Sequence, residues 1–218
     1  MVKLNIIIAG VGGQEVELAS DILGEVVLEA GLAVKKMDTQ GIAQHDGSIV
    51  TQLRIGEEVA SPLTGGDEAD ILLAFEKGEA ARWSDYLRLG ASALVNDLTI
   101  PSLSISPGGE SFPKEDEITD ILRNSTAKVM LIKGSQRVAE MGDRTMLNAF
   151  MLGALSMLLP FNPELWEKVI ARRLPPKILA INLAAFKQGR RDMIEVFSTM
   201  TDEDSCDTET HDDDCGCH

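Results

Sequence analysis

The chain predicts an α/β fold, a three-layer α/β/α arrangement built on a mixed sheet, with a helical C-terminal part. Three observations carry this expectation: a buried strand, glycine turn and amphipathic helix open the chain, one strand alternates with period two among otherwise apolar ones, and the sequence is helical in pattern after Ile132.

The first unit is the organising one. Ile6, Ile7 and Ile8 form an apolar β-branched run that reads as a strand covered on both faces, and it stops at Gly10. Val16, Ala19, Ile22, Leu23, Val26 and Val27 then fall on one helical face, with Glu15, Glu17, Asp21, Glu25 and Glu29 mostly on the other. Ala33 to Met37 reads as a second strand, followed by a polar loop from Asp38 to Ser48. Ser48 to Ile55 alternates and is expected to be an antiparallel or edge strand with one wet face.

Asp70 to Phe75 is a central strand, Lys77 to Leu89 a helix and Ala91 to Asn96 another strand. Pro101 forces an irregular step, Leu103 to Ile105 reads as a short strand, Pro113 to Asn124 as a helix opened by proline and acids, and Lys128 to Ile132 as the last strand. Helices follow over Gly134 to Met141, Met146 to Leu159, Pro163 to Leu174 and Lys177 to Gly189, broken at Gly142-Asp143, Pro160 and Pro175-Pro176. One domain over residues 1–191 is expected, with no internal repeat. Residues 192–218 lose periodicity and read as a disordered acidic tail.

Length and composition narrow the function. At 218 residues and 44% hydrophobic content the chain can bury a sizeable core. Its net charge of −15 is concentrated at the end: Asp202 to His218 holds eight acids and no Lys or Arg, and the rest has 27 acids against 20 bases. Nucleic acid is therefore not an expected partner. No leader pattern and no apolar run of membrane-spanning length is visible, which predicts no membrane association and a cytoplasmic protein. All three cysteines lie in the tail, so a disulfide-dependent fold is not expected.

The glycine turn has a chemical use, because unpaired backbone N–H groups at a helix start can donate to an anion. Gly10-Val11-Gly12-Gly13-Gln14-Glu15 approaches the dinucleotide pattern, and Asp38 could accept from a ribose hydroxyl, but the third glycine is Glu15. Those residues alone leave two readings open, a helix-starting turn and a nucleotide site. The loops at Gly10–Gln14 and Gln40–Ser48 would emerge at one edge if their strands run parallel, forming one surface. Candidate binding residues there are Gly10, Gly12, Gly13, Gln14, Gln44, Gly47 and Ser48, with no catalytic residue among them. His45 beside Asp46 reads as a surface-loop pair. Cys206, His211, Cys215, Cys217 and His218 match no closed metal motif, so no metal site is assigned. The apolar segment bearing Met141, Met146, Met151 and Met157 is read as core with room for a subunit contact.

Taken together, several motifs resemble a known family. Gly10-Val-Gly-Gly-Gln14, Gly41-Ile-Ala-Gln44 with Gly47-Ser48, Ser61-Pro62-Leu63, Ala69-Asp70-Ile-Leu-Leu-Ala74-Phe-Glu76, Asn148 with Leu152-Gly153-Ala154, and Asn182 with Ala185-Phe186 stand in order. They resemble the γ-type domain of 2-oxoacid:ferredoxin oxidoreductases, nearest to the β subunits of indolepyruvate ferredoxin oxidoreductases. The resemblance implies a fold like domain III of pyruvate:ferredoxin oxidoreductase. It also implies a small subunit supporting CoA-dependent oxidative decarboxylation of an aryl 2-oxoacid, with electrons passed to ferredoxin through the complex. Thiamine diphosphate and [4Fe–4S] clusters are then expected on a large partner subunit in a hetero-oligomer, with no cofactor bound by this chain alone.

Two positions depart from that pattern. The family usually has glycine where Glu15 stands and Arg-Gly where His45-Asp46 stands, and replacing a cation with carboxylates makes both loops poorer for a phosphate-bearing ligand. A divergent, non-catalytic assembly or binding protein on the same fold is the alternative. An NAD-dependent enzyme is disfavoured by the absent third glycine.

Overall fold

The computed structural model describes residues 2–40, 47–100, 115–125 and 128–206. Six strands, β1 (Leu4–Val11), β2 (Ala33–Gln40), β3 (Ser48–Gly56), β4 (Ala69–Ala74), β5 (Leu87–Asn96) and β6 (Lys128–Ile132), form one sheet in the order β2-β3-β1-β4-β5-β6. β3 runs antiparallel to both β2 and β1, whereas β1, β4, β5 and β6 are parallel neighbours.

Side chains alternate across this sheet, as the pleat requires. Ile6 and Ile8 enter a core formed with α1 (Val16–Glu29), α4 (Gly134–Glu140), α5 (Leu147–Leu155), α6 (Pro163–Arg173) and α7 (Pro176–Cys206). Ile7 and Ala9 enter a second core on the other face, with α2 (Lys77–Trp83) and α3 (Glu115–Ser125). Three layers result. Because α1 and α2 leave neighbouring strands toward opposite faces, the carboxyl ends of β1 and β4 form a topological switch point, the position where such sheets place ligands.

Several expectations change. β3 is not an edge strand with a wet face: β2 forms the edge, and Thr51 and Gln52 are buried. Their polarity is spent internally, since Thr51 Oγ1 donates to Asp38 at 2.6 Å and Gln52 Oε1 accepts from the Thr64 N–H at 2.8 Å. The helix expected to reach Leu89 stops at Trp83, followed by a 3-10 turn over Ser84–Tyr86. There the Ser84 hydroxyl donates to the Ala81 carbonyl, and Leu87 already pairs with Ala69 in the sheet. α7 does not end near Gly189 or lose order at Asp192; it continues to Cys206, with Met193 fully buried and Val196, Phe197 and Met200 packed on the core. The strand expected at Leu103–Ile105, the start of the Pro113 helix, His45-Asp46 and the tail beyond Cys206 lie outside the described residues.

Met146 and Met151 belong to the core, as expected, while Met141 is exposed. Part of the acidic face of α1 is paired with α6. Lys168 Nζ and Arg172 Nη1 donate to Glu29 at 2.8 and 2.7 Å, and Arg172 Nη2 donates to Glu25 at 2.6 Å, tying α6 along α1.

Candidate functional site

This switch point begins with Gly10, where a side chain would force its neighbours to shift. A Cβ there would lie 2.6 Å from Gln14 Oε1, 2.8 Å from Val16 Cγ2 and 3.2 Å from Phe75 Cβ. The chain then turns through Gly13, at φ +87°, and Glu15, a non-glycine residue in the left-handed region at φ 53°. Gln14 braces this turn: its Oε1 accepts from the Val11 N–H at 2.9 Å and its Nε2 donates to the Phe75 carbonyl at 3.2 Å.

That carbonyl is shared with β5. Asn96 Nδ2 donates to the Phe75 carbonyl at 2.9 Å and to Ser135 Oγ at 2.8 Å, and Asn96 Oδ1 accepts from the Ser135 N–H at 3.0 Å. The ends of β1, β4 and β5 are thereby stitched to α4 through two amide side chains, one of them, Asn96, with no solvent exposure.

The glycine loops do meet. β1 and β2 run in the same direction on either side of β3, and the Gly12 N–H donates to the Gly47 carbonyl at 3.2 Å. Ser48 lies beside them, and its hydroxyl donates to Glu79. Gly10, Gly12, Gly13, Gln14, Gly47 and Ser48 therefore occupy one end of the sheet, while Gln44 lies outside the described residues. Asp38 is engaged elsewhere, with Thr51 and with Lys36 Nζ at 3.0 Å.

Two acids that were not among the candidate binding residues complete this end. Glu76 caps α2, its carboxylate accepting from the N–H groups of Gly78 and Glu79. Burial pushes its pKa above the ordinary carboxylate value and the Glu79 carboxylate adds to this, against the pull of hydrogen bonds from Gly78, Glu79 and Ile100. Glu79, also buried, accepts from the Ser48 hydroxyl and from Arg82 Nε at 3.0 Å. Buried Lys77 pairs with Asp97. An acid between an apolar strand and a glycine was the available signal for Glu76; nothing local marked Glu79.

This end of the sheet is a poor cradle for phosphate. The α2 amides are already taken by Glu76, and α1 begins beside the carboxylate of Glu15. The residues present do not fit the cofactors of the resembled family either. A four-cysteine cluster exceeds the three cysteines of the whole chain. Among the described residues no group of three His, Cys, Asp or Glu is arranged to hold a metal ion. No described helix is long and apolar enough to cross a membrane. The described polar side chains here fix backbone and one another, the Ser48 hydroxyl being held on the Glu79 carboxylate.

Comparison with known proteins agrees with this architecture. Residues 5–191 match the family described as Pyruvate ferredoxin/flavodoxin oxidoreductase. The chain is 33% identical over 192 residues to the indolepyruvate oxidoreductase subunit IorB of Thermococcus kodakarensis, covering 87% of this chain and 95% of that one. Its fold superposes with TM-score 0.69 and 25% identity on a 2-oxoglutarate:ferredoxin oxidoreductase chain from Magnetococcus marinus, covering 89% of this chain and 32% of that one. The γ subunit of a keto/oxoacid ferredoxin oxidoreductase from Geobacter sulfurreducens superposes with TM-score 0.68 at 20% identity, covering 88% of this chain and 99% of that subunit. The chain belongs to the pyruvate ferredoxin/flavodoxin oxidoreductase family.

Proposed function

We propose that this chain is the small, β/γ-type subunit of an indolepyruvate or related 2-oxoacid:ferredoxin oxidoreductase. In that role it supports a reaction in which the acid loses carbon dioxide, its acyl carbon becomes a thioester of coenzyme A, and electrons pass to ferredoxin. Thiamine diphosphate and [4Fe–4S] clusters belong to a large partner subunit, and the hetero-oligomer works in the cytoplasm. The observation that carries this reading is 33% identity over 95% of the length of an indolepyruvate oxidoreductase subunit. Gly10, Gly12, Gly13, Gln14, Gly47 and Ser48 form the surface this chain turns toward the partner's cofactor region, and Gln44 is proposed to serve the same ligand. Their support is the joining of both loops through Gly12 and Gly47.

Co-expression with a large cluster-bearing chain tests the reading, and a brown complex containing both chains is the expected product. A colourless homo-oligomer that ignores the large chain would overturn it. That outcome would favour a divergent assembly or binding protein, a second reading to which the exposed carboxylate of Glu15 at the glycine turn lends weight.

A further inference from the structure

We infer that the groove between α1, α5 and the α6–α7 elbow seats an apolar side chain of the large partner subunit, with a cationic group of that subunit against Glu15. This rests on the reading that the chain is one subunit of a hetero-oligomer. Leu18 and Ile22 of α1, Ile170 and Leu174 at the end of α6, and Ile178 of α7 form the apolar wall of a groove of about 280 Å³. Small-molecule sites usually enclose roughly 300–1,000 Å³. The space suits one large side chain better than a cofactor.

The apolar surface does not stop at the mouth. Ile178 and Ile181, three residues apart on the same helix, are 37% and 39% exposed, so α7 carries the groove's apolar lining out onto the surface. Scattered exposed aliphatics are ordinary, but these continue a cavity.

The polar groups in the wall define what accompanies the anchor. Glu15 is exposed and its carboxylate has no partner among the described residues. Asn148 is buried; its Nδ2 donates to the Glu15 carbonyl at 2.8 Å, which fixes the amide's orientation because a carbonyl only accepts, and its Oδ1 has no partner. Asn182 spends its amide N–H on the Ile178 carbonyl at 2.9 Å. Arg173, the cation in the wall, is already held by Asp21 and Glu25. What remains is apolar room beside acceptors, the complement of an aliphatic or aromatic residue next to Arg or Lys. Even outside its acidic end the chain carries 27 acids against 20 bases, an excess that favours a basic partner surface and opposes a second copy of itself.

The test titrates the large subunit with wild-type chain, Ile178→Glu, Ile181→Glu and Glu15→Lys. Each variant is expected to weaken assembly at least about tenfold, as interface anchors do. Melting of each isolated variant should stay within about 2 °C of wild type, as for other exposed positions. Wild-type affinity in all three variants would overturn the groove assignment and leave the subunit reading standing. Loss of self-association alone would overturn it in favour of a second copy. Failure of the wild-type chain to assemble would remove both.

Discussion

Gly153 of α5 lies against the backbone of Phe186 in α7, so close that a Cβ at Gly153 would stand 2.0 Å from the Phe186 carbonyl oxygen. The contact is reciprocal: a Cβ at Gly189 would stand 2.0 Å from the Phe150 carbonyl oxygen. Helix against helix at this separation has no side chain to yield.

Gly153→Ala and Gly189→Ala are each expected to destabilise the chain by about 3 kcal/mol, because overpacking against backbone outweighs the roughly 1 kcal/mol that alanine gains in helix propensity. Gly24, also helical, has nothing within 4 Å of its Cβ position. Gly24→Ala should therefore stabilise by up to about 1 kcal/mol. Urea unfolding midpoints of the three variants check the contrast.

Ser48 and Glu79 hold the second glycine loop to α2. A double-mutant cycle with Ser48→Ala and Glu79→Ala is expected to give a coupling of about 1–2 kcal/mol, typical of a hydrogen bond to a carboxylate acceptor. Additive effects in chemical unfolding would show that the two side chains do not act together.

Glu29 and Glu76 answer pH in opposite directions. Hydrogen bonds from Lys168 and Arg172 hold the Glu29 carboxyl at about 2, below its ordinary 4.5. Its contribution to stability is thus present above 4.5 and lost as pH falls toward 2. Glu76, pushed up by burial, contributes below the ordinary value and loses that contribution as pH rises through its raised value. Thermal melts of Glu29→Gln should fall below wild type at neutral pH and converge with it near pH 2, with a smaller gap in high salt. A gap independent of pH would contradict the ion pairs.

Isothermal calorimetry of the isolated chain with coenzyme A and with thiamine diphosphate should show no binding in the micromolar range. The α2 amides are occupied by Glu76, and Glu15 repels a phosphate at α1. Glu15→Gly in the isolated chain should not create such binding, because Glu76 still occupies the α2 amides. Micromolar affinity in the wild-type chain would contradict the expectation that this chain alone binds no cofactor.

Local pattern was enough wherever one physical signal dominated. The Ile6–Ile8 run, the glycine turn and the face of Val16, Ile22 and Val26 specified β1 and α1; Pro163 did the same for the start of α6, where the Asn162 side chain accepts from the Glu164 N–H. Tertiary contacts decided the rest. Thr51 and Gln52 look solvent-facing until Asp38 and Thr64 are brought across to them. Asp192 looks like the end of order until Arg137 Nε, 2.7 Å from its carboxylate, is seen to hold it. In the site, Gly10 and Gln14 were legible because they serve one turn. Asn96 and Glu79 were not, because each draws its meaning from residues 39 and 31 positions away.

The central claim is that this chain contributes to 2-oxoacid oxidation only as a partner. Coenzyme A-dependent reduction of viologen by indolepyruvate, measured for the purified chain alone and after addition of the large subunit, tests it most directly. Turnover is expected only in the mixture; turnover by the chain alone would contradict the claim.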